Sequence, residues 1–148
     1  MADPDSIKNI ARQRASELKL PYSGALLPPE ANALMQAGAK LVDVRTKAEL
    51  EWVGRVPGAL TVEWNSWPGG KLNPDFIPQL QALAQMDVPI MFLCRSGGRS
   101  HNAAIAAAQA GYAEVYNVLQ GFEGDKGPDS HRNTLGGWRL AGLPWVQS

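Results

Sequence analysis

Residues 88–100 have the sequence Val-Pro-Ile-Met-Phe-Leu-Cys-Arg-Ser-Gly-Gly-Arg-Ser, which contains the strongest structural signal in the chain. Its first half is an apolar run typical of a central parallel strand, with Pro89 near the strand's beginning. From Ser100 to Ala110 the chain is rich in alanine, whose small side chains favour a helix that packs closely on a sheet. A strand that leads directly into a helix predicts an open α/β sheet, in which ligands bind beyond the carboxyl ends of the strands.

The sequence on either side of this stretch alternates between short strands and helices. Apolar residues recur at helical spacing from Asp5 to Leu20, and Gly111 predicts a left-handed cap after the alanine-rich helix. From Gly121 to Trp138 the chain is rich in Gly, Asp, Lys and Pro, which predicts a long surface loop. We predict the remaining helices after Pro28, over 47–52 and over 76–86, and the remaining strands over 40–44, 59–62 and 114–118.

The segment between the strand and the alanine-rich helix favours a reactive cysteine. Gly97 and Gly98 allow backbone amides to turn towards one point, and a helix start offers unpaired N–H groups to an anion. Arg95 and Arg99 add positive charge, so a Cys94 thiolate is stabilised there and is a competent nucleophile. The alternative is a buried structural cysteine, which is the commoner fate of a lone cysteine but needs none of these neighbours.

Composition excludes several other classes of function. Fourteen basic residues balance fourteen acidic ones in 148 residues, so no overall field attracts nucleic acid or an anionic membrane. A single cysteine forms no internal disulfide and does not supply a zinc site by itself. No apolar run resembles a signal peptide or a membrane span, and no nucleotide-binding glycine fingerprint is present. We therefore expect a cytoplasmic protein with no organic cofactor and no metal.

Three motifs resemble one known family. Cys94-Arg-Ser-Gly-Gly-Arg-Ser100 resembles the active-site loop of rhodanese-like domains, commonly C-R-x-G-x-R-S. The segments 41–45 and 54–59, with Glu49 between them, resemble the family's upstream signature, and 117–121 with 137–144 resemble its closing segment. The resemblance covers about residues 24–146. It implies an α/β fold with a parallel sheet of about five strands and helices on both faces, as a domain over 24–148 after an N-terminal helical extension over 1–23.

The resemblance also implies a chemistry. Cys94 takes a sulfane sulfur from a small anionic donor such as thiosulfate, polysulfide or a persulfide, and the resulting persulfide passes it to cyanide or a thiol. The amides from Arg95 to Ser100 surround the outer sulfur, and Arg95 and Arg99 attract the donor. The expected substrate-binding residues are thus Arg95, Ser96, Gly97, Gly98, Arg99 and Ser100. The resemblance is also compatible with a protein as the sulfur acceptor. It is compatible with either a monomer or a homodimer.

Two other functions stay open at this point. One is a rhodanese-like module that binds a partner or carries sulfur without turnover on small donors. The other is a cysteine phosphatase or arsenate reductase, which also presents a thiolate in an amide-lined loop. Tyrosine-phosphatase-type loops place five residues between cysteine and arginine, whereas Cys94 and Arg99 enclose four, so the loop argues against this second class.

Several residues near these motifs receive structural interpretations. We predict that Asp43, Arg45 and Glu49 form a structural ion-pair network, because charged pairs are common in scaffolds. Arg55 replaces the histidine of many relatives in a scaffold turn, and no loss of catalysis is inferred from it. Further expectations are a pocket rim formed by Trp64 and Trp67, a surface position for His101, a mobile surface loop around His131 and Arg132, and an N-terminal helix that packs on its own domain or on a second subunit.

Overall fold

Five short strands form one parallel sheet in the computed structural model, which describes residues 3–147. The order across the sheet is β1-β5-β4-β2-β3, and every neighbouring pair is parallel. β4 is the central strand, with Phe92 opposite Val42 on one side and Asn117 on the other. The strands are β1 (Gly24–Leu26), β2 (Lys40–Asp43), β3 (Leu60–Thr61), β4 (Ile90–Leu93) and β5 (Val115–Val118).

The part of the chain from residue 3 to residue 147 contains five helices, of which the first precedes β1 and the other four connect successive strands. Asp3 caps the first helix by accepting the Ser6 amide, and Thr46 and Glu49 form a reciprocal capping box on the third. The helices are α1 (Pro4–Leu18), α2 (Pro28–Gln36), α3 (Lys47–Trp52), α4 (Phe76–Leu83) and α5 (Gly98–Ala110). This architecture confirms the predicted α/β fold with a five-stranded parallel sheet.

The two faces of the sheet bury two separate apolar layers. Ile90 and Phe92 of β4 contribute to the layer that contains α4 and α5, and the buried alanines of α5 allow that helix to approach closely. Met91 and Leu93 point to the opposite face and join the layer that contains α1 and α2. A strand covered on both faces has no polar side, which explains the uninterrupted apolar run at this point of the sequence.

The N-terminal helix packs on its own chain. Ile7 and Ala11 are buried in the α1/α2 layer, and a Cβ atom added to Gly24 would lie 2.8 Å from the Cβ of Ala11. Sequence reasoning predicted this helix but not the three-residue strand β1 beneath it. Met1 and Ala2 of the predicted extension and Ser148 of the predicted domain lie outside the described residues. No helix within 3–147 is long and apolar enough to span a membrane.

The long segment after β5 is only partly a surface loop. Phe122 and Trp138, at its two ends, are fully buried in the α1/α2 layer, which contradicts the prediction of a surface loop for these residues. The middle of the segment is exposed, as predicted, and the His131 imidazole there lies against the exposed Asp129 carboxylate. The Arg132 guanidinium donates a hydrogen bond to the carbonyl of Gly124 within the same segment. The buried ends attach the segment to the sheet directly behind the cysteine loop.

Candidate active site

Cys94 follows β4 immediately and lies at the carboxyl edge of the sheet. Its side chain is buried, with the whole residue only 1% exposed. The Gly97 amide donates a hydrogen bond to Sγ at 3.1 Å, and the Ser100 hydroxyl lies 3.3 Å from Sγ. The sulfur is therefore held between a backbone N–H and a hydroxyl.

Ser100 joins Cys94 to the neighbouring strand. Its hydroxyl donates to Oδ1 of Asn117 at 2.6 Å, and Nδ2 of Asn117 donates to the Gly97 carbonyl at 3.3 Å. Because the hydroxyl has one proton, in this arrangement it accepts a hydrogen bond from the Cys94 thiol. The role of Asn117 in the site is not among the predictions from the sequence. The signal available was a carboxamide within the otherwise apolar strand β5.

The loop ends at the start of α5 with several free amides. Gly97 is the N-cap and has φ of +116°, a conformation that favours glycine, whereas Gly98 already lies in the first helical turn. The N–H groups of Gly98, Arg99 and Ser100 belong to that first turn, where a helix supplies no acceptor of its own. Ser96 is half-buried, and its hydroxyl forms no hydrogen bond within residues 3–147. The loop thus presents N–H groups to an anion near Cys94.

The segment after β5 holds the cysteine loop from behind. The Phe122 amide donates to the Cys94 carbonyl at 2.8 Å, and the Glu123 amide donates to the Arg95 carbonyl at 2.9 Å. Gly121 makes this approach possible, because a Cβ atom at that position would lie 2.5 Å from the Cys94 carbonyl oxygen. With both carbonyls bound on that side, the loop is fixed relative to the sheet.

The two loop arginines have different environments. Arg99 donates two hydrogen bonds to the Glu49 carboxylate, at 2.7 and 2.9 Å, which raises the pKa of Arg99. Burial alone would raise the pKa of Glu49, but the hydrogen bonds and charge of Arg99, helped by Thr46, lower that pKa to about 2. Arg95 is exposed, and its guanidinium has no hydrogen bond or ion pair within residues 3–147. Arg95 is thus the loop cation available to a ligand.

The predicted ion-pair network divides into two pairs. Asp43 and Arg45 form a fully buried pair with Nη2 and Oδ2 2.7 Å apart, as predicted. The Arg45 guanidinium also donates to the Gly54 carbonyl and lies over the Phe122 ring at 4.2 Å. Glu49 does not join this pair, because Arg99 binds it instead. The Glu49 pair is the one that includes a residue of the cysteine loop, Arg99.

Aromatic residues surround the outer side of the loop. Trp67 lines a cavity next to Arg95 and Arg99, in agreement with the prediction, and Trp52 lines the same cavity. The prediction for Trp64 is wrong, because its ring packs against Phe76 of α4 with centroids 5.0 Å apart. The prediction of a surface position for His101 also needs correction.

His101 is half-buried directly after the loop. Its Nδ1 lies 2.8 Å from the hydroxyl of Tyr22, and burial raises the pKa of Tyr22. The contact joins α5 to the residues that precede β1. His101 therefore packs against Tyr22 and is not fully exposed.

Comparisons with known proteins agree with this geometry. The family model described as "Rhodanese-like domain" matches residues 27–127. An uncharacterised protein of Rickettsia conorii is 38% identical over 144 residues, which cover 95% of this chain and 98% of that protein. The thiosulfate sulfurtransferase GlpE of Pseudomonas aeruginosa is 32% identical over 98 residues, covering 66% of this chain and 79% of that enzyme.

A solved structure extends the similarity to three dimensions. The crystal structure of Rv0390 from M. tuberculosis superposes with a TM-score of 0.79 at 39% sequence identity, over 86% of this chain and 99% of that one. The family match alone spans well over half of the sequence and includes β2, β4 and the whole cysteine loop. On these grounds the chain belongs to the family of rhodanese-like domains.

Proposed function

We propose that this protein is a sulfurtransferase that moves a sulfane sulfur through a persulfide on Cys94. One observation carries the proposal: Sγ lies within reach of the Gly97 amide and the Ser100 hydroxyl, at the start of a helix whose first-turn amides have no intrahelical acceptor. Such a site stabilises negative charge on sulfur, both on the thiolate and on the outer atom of a persulfide. The 32% identity to a thiosulfate sulfurtransferase supports the same chemistry.

The first half-reaction loads the cysteine. The Cys94 thiolate attacks the outer sulfur of thiosulfate, the new Sγ–S bond forms, and the S–S bond of the donor breaks with its electron pair leaving on sulfite. One thiolate and one dianion give one persulfide anion and one dianion, so charge is conserved. When Cys94 is deprotonated, the Ser100 hydroxyl can turn its proton from Asn117 to Sγ and stabilise the nucleophile.

The second half-reaction unloads the cysteine. A thiolate or cyanide attacks the outer sulfur, the Sγ–S bond breaks, and its electron pair returns to Sγ to regenerate the Cys94 thiolate. The unpaired Arg95 guanidinium attracts anionic reactants to the loop, and the first-turn amides hold the outer sulfur between the two steps. We propose that the donor is a small anion and that the acceptor is cyanide or a thiol, either of a small molecule or of a protein. We further propose that the protein works in a reducing cytoplasm, where its single cysteine stays free.

Intact-protein mass spectrometry tests the proposal. We expect incubation with thiosulfate or polysulfide to add one sulfur atom to the protein, and cyanide or a small thiol to remove it with release of thiocyanate or a persulfide. Cys94→Ser is the control and gains no mass. Failure of every donor to load Cys94 would overturn the proposal.

The same samples separate the alternative functions. A carrier without turnover would accept sulfur from a persulfide donor but not release it to small acceptors, and a binding module would not be loaded. A cysteine phosphatase would hydrolyse p-nitrophenyl phosphate through Cys94. We expect repeated cycles of loading and unloading and no phosphate release, because the four residues between Cys94 and Arg99 form a smaller loop than a phosphatase needs.

A further inference from the structure

The connection between β3 and α4 contains an exposed hairpin over 64–73. Asn65 and Leu72 bridge its two arms in antiparallel fashion, and the Asn73 amide closes its base by donating to the Trp64 carbonyl at 2.9 Å. Residues 66–72 between these contacts are all exposed. Because the hairpin follows the carboxyl end of a parallel strand, it lies at the same edge of the sheet as the cysteine loop.

The hairpin adjoins two cavities, and Ser66 lines both of them. One cavity, of about 470 Å³, is lined by Trp67 of the hairpin and by Arg95 of the cysteine loop. The other, of about 590 Å³, is lined by Leu72 of the hairpin and by Leu83 of α4. We refer to the hairpin and the lining residues of both cavities as the hairpin surface, which extends from the cysteine loop to α4.

Large apolar side chains are exposed on the hairpin surface. Trp52, Trp67 and Leu72 are each about 60% exposed, and the two indoles meet edge to face with ring centroids 5.1 Å apart. Clusters of exposed apolar side chains mark interaction sites, and tryptophan is enriched in protein interfaces. A ligand confined to one cavity would leave the apolar residues of the other exposed, whereas a protein surface can cover both sides of the hairpin.

The hairpin surface has a local excess of positive charge, although the chain as a whole is neutral. Of the five basic residues that line the two cavities, two are neutralised by ion pairs with Asp43 and Glu49. The other three, which form no ion pair within residues 3–147, are Lys47, Lys71 and Arg95. Glu63 is the remaining acidic lining residue, so three positive charges and one negative charge leave two net positive charges. This surface is complementary to an acidic partner.

We propose that the hairpin surface docks an acidic protein that accepts the sulfur, with negatively charged and apolar side chains beside its acceptor cysteine. The inference rests on the sulfurtransferase function and adds the partner. In the transfer the partner's thiolate attacks the outer sulfur of the Cys94 persulfide, the bond between that sulfur and Sγ breaks, and its electron pair stays on Sγ. One persulfide and one thiolate react, and one persulfide and one thiolate are produced.

The test measures how fast three thiols unload the persulfidated protein, followed by the loss of one sulfur atom from its mass. The thiols are 2-mercaptoethanol, a peptide whose single cysteine is flanked by aspartates and leucines, and the same peptide with lysines in place of the aspartates. We expect Lys71→Glu to lower the rate constant for the acidic peptide about tenfold at low ionic strength and to raise it for the basic peptide. For 2-mercaptoethanol we expect a change of less than about twofold.

Two further variants complete the experiment. Lys40→Glu is the matched control, because it changes the net charge equally but lies at the start of β2, at the opposite edge of the sheet from Cys94. We expect it to leave all three rate constants almost unchanged. Leu72→Ser should lower the rate constants for both peptides about threefold and leave that for 2-mercaptoethanol unchanged. Comparing each variant with the wild type for one thiol at a time cancels the intrinsic reactivity of that thiol.

Three outcomes would contradict the proposed docking. Equal effects of Lys71→Glu and Lys40→Glu on the acidic peptide, or no effect of Leu72→Ser on either peptide, would overturn it, while unloading by 2-mercaptoethanol would leave the sulfurtransferase function intact. Sedimentation of the wild type tests a second copy as the occupant: a dimer that Leu72→Ser dissociates would also overturn the proposal. If no donor loads Cys94, both proposals fail together.

Discussion

Ser100 is the residue whose side chain forms a hydrogen bond with the buried Cys94 sulfur. Its hydroxyl lies between Sγ and the Asn117 carboxamide, and all three groups are buried. Water cannot replace a hydroxyl removed from such a place without rearrangement of the loop. Without the Ser100 hydroxyl, the Gly97 amide would be the one hydrogen-bond donor left to a Cys94 thiolate among the described contacts of Sγ.

We predict that Ser100→Ala slows persulfide formation about tenfold, because a hydrogen bond to a charged group contributes roughly 1.5 kcal/mol or more. The measurement is the rate of mass gain with saturating thiosulfate. Ser96→Ala is the matched control, since this second loop hydroxyl does not contact Sγ, and it should react like the wild type. Equal rates for the two variants would show that the Ser100 hydroxyl does not assist the sulfur.

The ion pair between α3 and α5 makes the stability of the fold dependent on pH. In the folded chain the pKa of Glu49 is about 2, against an ordinary value of 4.5. Between these values the unfolded state binds a proton that the folded state does not. The contribution of the pair to stability is therefore complete above about pH 5 and is lost as the pH falls towards 2.

Urea unfolding at pH 7 and pH 3 measures this contribution. We predict that Glu49→Gln lowers the free energy of unfolding by about 2 kcal/mol at pH 7 and by roughly half of that or less at pH 3, where the folded-state carboxylate begins to bind its proton. Glu51→Gln is the control, because Glu51 is exposed on the same helix and has no ion pair within residues 3–147. A loss for Glu49→Gln that is the same at both pH values would exclude the charge of Glu49 as its cause.

The contact between the cysteine loop and the segment after β5 depends on Gly121. This residue has φ of +62°, and an added Cβ atom would meet the Cys94 carbonyl oxygen. We predict that Gly121→Ala costs about 2 kcal/mol more than Gly142→Ala, since Gly142 has a similar φ of +77° but no atom within 4 Å of its Cβ position. Chemical denaturation measures the free energy of unfolding of both variants. Equal losses of stability would mean that backbone strain alone destabilises Gly121→Ala.

The sequence predicted those elements whose signals are local. β4 follows from an apolar run, α3 from the helix predicted over 47–52, and α5 from an alanine-rich stretch that Gly111 closes, although α5 begins at Gly98 rather than at Ser100. β1 was missed because its three buried residues carry no alternating pattern and depend on pairing with β5, far along the chain. The partner of Arg99 was missed for the same reason, since Glu49 lies fifty residues away.

At the scale of the whole molecule, α1 completes the fold by covering the edge strand β1. Ala11 is fully buried against Gly24, and Arg14 donates to the Ala25 carbonyl at 3.0 Å and pairs with Glu30 of α2. These contacts connect α1 to one sheet edge and to a second helix. The N-terminal segment is thus part of the packed core on this face.

We predict that Ala11→Asp lowers the free energy of unfolding by about 3 kcal/mol or more, because it buries a carboxyl group without a partner. Asn9→Asp, on the exposed side of the same helix, introduces the same group in water and should have almost no effect. Thermal unfolding of both variants provides the comparison. Similar melting temperatures would indicate that α1 separates from the sheet at little cost.

Cys94 is the single cysteine of the chain, and it is buried. Many thiol enzymes discharge an oxidised or loaded sulfur through a second, resolving cysteine in the same molecule. This chain has no such internal route, so a persulfide formed in the proposed reaction persists until a thiophile from outside reaches it. The lifetime of the loaded form is then set by the concentration of acceptor rather than by the protein, and burial of Sγ hinders two molecules from joining through a disulfide.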